Sequence, residues 1–134
     1  MSTSRQVIAT QLTLATAAED LALAGGLRYD PADPFAVSLR LSYGTQDVVW
    51  TFARDLLSGG LYEPTGDGDV HVWPCLSSDG TSVVMIELCS PDGELLVEAP
   101  SRTVSAFLDE VEHVVPSGTE RMDVDSLIEQ LLGH

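Results

Sequence analysis

Residues 82 to 100, SVVMIELCSPDGELLVEAP, set two apolar runs on either side of Asp92-Gly93. Asp-Gly between two strand-like segments is the strongest short hairpin signal a sequence carries, because that turn needs residues tolerant of positive φ. A second hairpin precedes it. Val37, Leu39, Leu41 and Tyr43 alternate with Ser38, Arg40 and Ser42, a half-buried strand. Gly44 to Gln46 turns the chain, and DVVWTF (47 to 52) returns. Two such hairpins commit the chain to antiparallel sheet.

The rest of the chain fills in around them. In residues 6 to 16, Ile8, Leu12 and Leu14 share one face of a strand, while the segment from 17 to 36 reads as a polar, proline-bearing loop. Pro31 and Pro34 hold the residue before each of them extended. ARDLLS (53 to 58) changes to helical period and ends at Gly59-Gly60. VHVWPC (70 to 75) is a short strand, and the very apolar run 82 to 90 is expected at the centre of the sheet. After Ser101, a plausible N-cap, Val104, Phe107, Leu108, Val111 and Val115 recur at helical spacing. VPSGTE breaks that helix, and Asp123 caps a last one carrying Val124, Leu127, Ile128 and Leu131. The expected class is α+β, with six to seven mostly antiparallel strands and C-terminal helices packed on one side. At 134 residues the chain is read as a single domain, 1–134.

Charge removes several functions. Twenty-one acidic residues face six arginines, with no lysine, for a formal net charge of −15. Phosphate contacts need cations, so nucleic-acid binding is disfavoured, as is adsorption to an anionic membrane. No apolar run reaches the roughly 20 residues of a membrane span. Lysine-dependent chemistry, including the P-loop and the Schiff base, is excluded. The mean hydropathy of +0.13 fits a folded globule. The N-terminus lacks a leader pattern, so the expected compartment is the cytoplasm.

Candidate chemistry is sparse. Asp67, Asp69 and His71 stand two apart and on an extended chain would share a side, a donor set suited to Zn²⁺ or Mn²⁺. The calcium-loop pattern fails at Ser78, where a glutamate is required, and Gly66 and Gly68 read as turn residues. Cys75 and Cys89 form no CxxC and read as two buried thiols in apolar strands; pairing across neighbouring strands is left open. No nucleophile motif occurs, His113 reads as solvated, and Glu87 reads as facing solvent or an interface. The reading is a non-enzyme with no catalytic residue, cofactor or metal. Trp50, Phe52, Tyr62 and Trp73 surround the polar segment 53 to 71 and read as core packing or as an aromatic patch rimmed by charge.

LRYDPADPFAV, FARDLLSGGLYEPTGDGDVHVWP, SPDGELLVEAP and VPSGTE before a final acidic helix, in that order, resemble the SsgA-like proteins of sporulating actinobacteria from about residue 5 to 131. The resemblance implies a curved, "whirly"-like antiparallel sheet, a homo-oligomer expected to be a trimer, and a role in sporulation-specific division at septum sites. The implied partners are the tubulin-like division protein FtsZ and other SsgA-like or divisome proteins. Alternatives are single-stranded nucleic-acid binding by the whirly-like sheet, or spore-wall maturation, since Cys75, Cys89 and an acidic helix after Pro100 depart from the family pattern. Fold alone does not carry function. The expected docking surface comprises Arg54, Asp55, Glu63, Asp67, Asp69 and Trp73.

Overall fold

The computed structural model describes residues 6–16 and 22–120. Eight strands form one sheet: β1 (Ile8–Thr16), β2 (Ala22–Tyr29), β3 (Ala36–Tyr43), β4 (Gln46–Ala53), β5 (Thr65–Asp67), β6 (Val70–Leu76), β7 (Ser82–Ser90) and β8 (Gly93–Pro100). Helix α1 (Arg54–Gly60) follows β4, and α2 (Ser101–Val114) follows β8. The spatial order is β4-β3-β2-β1-β8-β7-β6-β5, with every neighbouring pair antiparallel. Two four-stranded meanders therefore lie side by side, joined where Ala15 and Thr16 meet Glu98 and Val97. The antiparallel α+β class holds, with eight strands in place of six or seven.

The additional strands are β2 and the short β5. Residues 22 to 29 lie in the segment expected to be loop, yet Leu23, Leu27 and Tyr29 alternate into the core. Gly25-Gly26 interrupts that alternation in the sequence, but the glycines serve packing. A Cβ on Gly25 would run into the Arg40 carbonyl and the Leu14 side chain, so only glycine lets β2 seat between its neighbours. The apolar strand β7 is interior, while β1 and β8 occupy the middle of the order.

One face of the curled sheet carries the core. Leu12 and Leu14 of β1, Leu39 and Leu41 of β3, Val72 of β6 and Ile86 and Leu88 of β7 are all buried. Against them α2 places Val104, Phe107, Leu108 and Val111 at helical spacing. Each fully buried side chain of this size contributes about 1.5–3 kcal/mol by leaving water. Pro100 is the residue that caps α2, and Ser101 is its first helical residue. Tyr43, expected inward, is exposed beside the turn of the β3–β4 hairpin, and Val48 and Val49 of β4 are exposed as well. The helix expected from Asp123 lies outside the described residues.

The cysteine reading is corrected. Cys75 is exposed and Cys89 half-buried, and both are free thiols. Cys75 is paired with Val83, six positions along β7 from Cys89, a separation of about 20 Å at 3.4 Å per residue. A disulfide requires Cα atoms within about 7 Å, so the two cannot bridge.

Candidate docking surface and the arginine beneath it

Helix α1 is short because RDLLSGG supplies only two turns, and it is held by the sheet it sits on. Leu56 and Leu57 are buried beneath it. Gly60 meets β6 so closely that a Cβ would overlap the Val72 side chain. Thr65 Oγ1 donates to the Leu56 carbonyl at 2.9 Å, tying β5 to the helix. The loop that follows therefore leaves from a fixed point.

Arg54 opens this helix and is 3% exposed, the one buried charged residue among those described. Its place on a docking surface is corrected by that burial: the cation is used inside the fold. Its guanidinium lies 5.5 Å above the Tyr29 ring centroid, a cation–π arrangement. It donates to the Tyr29 hydroxyl at 3.4 Å, to Glu112 Oε1 at 3.2 Å and to Ser117 Oγ at 3.2 Å, and pairs with Glu120 Oε2 at 3.5 Å. Tyr29 in turn donates to the Pro34 carbonyl at 2.9 Å. Burial pushes the Tyr29 phenol above its ordinary value, against the pull of Arg54. Hydrogen bonds from the Ser117 hydroxyl and amide, assisted by Arg54, hold Glu112 below its usual range. Glu120 is also held low, first by a hydrogen bond from its own backbone amide and then by that of Gly118, with Arg54 adding to both. The VPSGTE segment thus closes over Arg54 as a knot joining β2, α1 and the end of α2.

Around this buried anchor the surface is acidic. Asp55, Glu63, Asp67 and Asp69 are all exposed, and Tyr62 is 82% exposed. Gly68, with φ of 61°, makes the tight turn between β5 and β6 that presents the two aspartates. That turn also breaks the proposed alignment of Asp67, Asp69 and His71. Asp67 pairs with Val70 in the ladder, whereas His71 pairs with Gly66, so Asp67 and His71 fall on opposite faces. Turn geometry, not a shared donor set, explains the aspartates.

The aromatic residues do not form one patch. Phe52 is buried in β4 and Trp50 packs beside it against the core. Trp73 lies on the other face of β6, opposite Met85, and is half-buried. Of the named residues, α1 and the β5–β6 hairpin bring Asp55, Glu63, Asp67 and Asp69 to neighbouring elements, while Trp73 stands further along β6.

Two further arginines can be placed. Arg28 and Arg40 line a groove of about 350 Å³ on the outer face of β1–β4. Arg28 lies 3.8 Å from Asp30 and Arg40 3.9 Å from Asp47, so each cation has a carboxylate beside it. No helix among the described residues is long and apolar enough to cross a membrane.

This architecture and sequence have close counterparts. The family described as Streptomyces sporulation and cell division protein, SsgA, matches residues 23–120. The sporulation-specific cell division protein SsgB of Streptomyces coelicolor is 50% identical over 115 residues, 85% of this chain and 82% of that protein. The SsgB of Thermobifida fusca is 36% identical over 139 residues, covering 98% and 99% of the two chains. A solved structure of SsgB, from work on longitudinal cell division during sporulation of Streptomyces coelicolor, superposes with a TM-score of 0.82 at 46% identity over 90% of this chain and 95% of that one. The crystal structure of the Thermobifida fusca SsgA-like sporulation-specific cell division protein gives 0.84 at 33% identity, over 98% and 99%. The chain belongs to the SsgA family of sporulation and cell division proteins, as an SsgB-like member.

Proposed function

We propose that this protein is a non-enzymatic, oligomeric adaptor that positions or recruits FtsZ at septum sites during sporulation-specific division. A role in sporulation-specific cell division is supported by the names its relatives carry. The finer reading rests on one observation: an exposed acidic segment, Glu63 to Asp69 with Asp55 beside it, is mounted on a helix fixed from below by the buried Arg54. A rigid, charged and exposed surface limits the entropy lost on docking and fixes the orientation of a partner. Tyr62, exposed beside Glu63, and Trp73, half-buried on β6, are aromatic residues available to extend it. The adaptor works in the cytoplasm, at septa, as a homo-oligomer, with other SsgA-like or divisome proteins as further partners.

Nucleic-acid binding draws less support from the surface. Arg28 and Arg40, which line the groove, each lie within 4 Å of a carboxylate, Asp30 and Asp47, so two cations are offset where phosphate would need them free.

The test is charge reversal at Asp55, Glu63 and Asp67 with FtsZ capture measured by co-sedimentation and interferometry. Binding should fall at least about tenfold, a loss of roughly 1.4 kcal/mol, while the melting temperature stays put. Unchanged capture, or a matching fall in melting temperature, sinks the assignment.

A further inference from the structure

His71, Glu87 and Cys89 come together on the outer face of β6 and β7, and the docking reading does not use them. His71 is directly opposite Glu87 in the ladder, and Cys89 is two residues further on the same face of β7. Their donor atoms lie within 4.8 Å of one another. His71 Nδ1 is buried without a hydrogen-bond partner, although Glu87 Oε1 is only 3.3 Å away. A buried ring nitrogen left unsatisfied normally costs the fold free energy, so its persistence requires an explanation.

The imidazole is also held in place. Gly66 of β5 is its partner across the hairpin, and a Cβ there would overlap the ring at Cδ2. Glycine therefore makes the seat in which the ring lies, with Nδ1 3.3 Å from Glu87 Oε1. On the other side, the Cys89 amide donates to the Asp69 carbonyl at 2.8 Å, which extends the ladder and fixes the backbone that carries the thiol. Three donors from two paired strands are thus positioned by backbone geometry.

We propose that His71 Nδ1, a Glu87 carboxylate oxygen and Cys89 Sγ bind one zinc-class divalent metal ion, with water completing a tetrahedral set. Zinc bonds of about 2.0–2.3 Å place tetrahedral donors roughly 3.3–3.8 Å apart. The His71–Glu87 spacing already falls in that range, and the thiol reaches it by a rotamer change. Nitrogen and sulfur donors select a borderline-soft ion over magnesium or calcium, which take oxygen. Binding displaces the thiol proton to solvent, leaving the sulfur as thiolate. Burial, then the charges of Glu87, Glu94 and Asp69, hold the metal-free thiol above its ordinary pKa, and the same anionic surroundings favour an arriving cation. The side chains of His71 and Glu87 are 46% and 31% exposed, so the fourth position opens to water. The ion clips β6 to β7 next to the acidic hairpin, and this inference stands independently of the adaptor role.

The reduced, metal-free full chain would be titrated with zinc against a competing chelator, and separately with cobalt. One zinc per chain should bind. His71→Ala, Glu87→Gln and Cys89→Ser should each weaken it at least about tenfold, whereas Cys75→Ser, at the far end of the ladder, should leave it unchanged. Cobalt in the unaltered protein should give tetrahedral ligand-field bands and a thiolate charge-transfer band. The site is overturned by absence of saturable zinc binding, by a cobalt spectrum lacking the thiolate band, by full affinity in any one of the three ligand variants, or by loss in Cys75→Ser. Because the cobalt spectrum uses no variant, a substitution that unfolds the chain leaves the question decided.

Discussion

Two polar clusters sit on this sheet, and they are finished to different degrees. Around Arg54 every charge has a counterpart: two carboxylates, two hydroxyls and an aromatic face meet one guanidinium. Around His71 the set is less complete, with a buried nitrogen unbonded and the Glu87 carboxylate 3.3 Å away. A completed network holds structure together, since burying a charge is tolerated only when it is paired and hydrogen-bonded. The other cluster is the set for which a cation is proposed. The contrast separates residues whose loss should cost the fold from residues whose loss should cost metal binding.

The largest effect should come from the completed cluster. Arg54→Met removes the buried cation and leaves Glu112 and Glu120 without their shared partner. Breaking a buried pair from one side costs about 3–5 kcal/mol, and the partial exposure of Glu112 puts this case near 3. His71→Ala, in the absence of metal, should change stability by no more than about 0.5 kcal/mol, as for an ordinary surface change. Urea unfolding of the two variants beside the parent measures both. Similar losses in the two would erase the distinction between the clusters.

How much of this was legible in the sequence depends on how far apart the partners lie. The hairpins 37–52 and 82–100 were readable because alternation and a turn are properties of adjacent residues. Strand β2 was hidden because a glycine pair looks like a turn locally, while its cause, the approach of the Arg40 carbonyl and Leu14, is a tertiary fact. Arg54 beside Asp55 on a short helix suggested a charged surface. Nothing local shows that Glu112 and Ser117, 58 and 63 residues later, fold over it. The His71–Glu87–Cys89 set needed the register of β6 on β7, fixed only once the loop between them is built. A clue was present: Glu87 is a charge in an otherwise apolar strand, two positions before a cysteine.

A middle-sized effect concerns acid. Glu112 and Glu120 are held below their ordinary value of 4.5 in the folded protein. Folding therefore favours their ionised forms. The stability they supply is complete above the unfolded value and is lost as pH falls through the lower, folded one. Ser117→Ala removes the largest cause of the Glu112 shift, its hydroxyl hydrogen bond, so the Glu112 carboxyl should titrate closer to 4.5 and the acid side of the stability curve should flatten. Carboxyl-detected NMR titration reads the first and unfolding as a function of pH the second. An unmoved Glu112 midpoint would show that the guanidinium, not the hydroxyl, controls that carboxylate.

The smallest effect tests the seat of the imidazole. Gly66 lacks positive φ, so Gly66→Ala strains no backbone; the three atoms nearest its methyl group all belong to the His71 ring. That ring is nearly half exposed and can rotate outward, which limits the loss of stability to under about 1 kcal/mol. The rotation carries Nδ1 away from Glu87, however, and a three-donor site depends on geometry more than the fold does. Zinc affinity should therefore fall several-fold in a protein whose melting temperature barely moves, with the His71 ring resonances shifted. Full affinity with a shifted ring would mean that the other ring nitrogen, Nε2, is the one that reaches the metal.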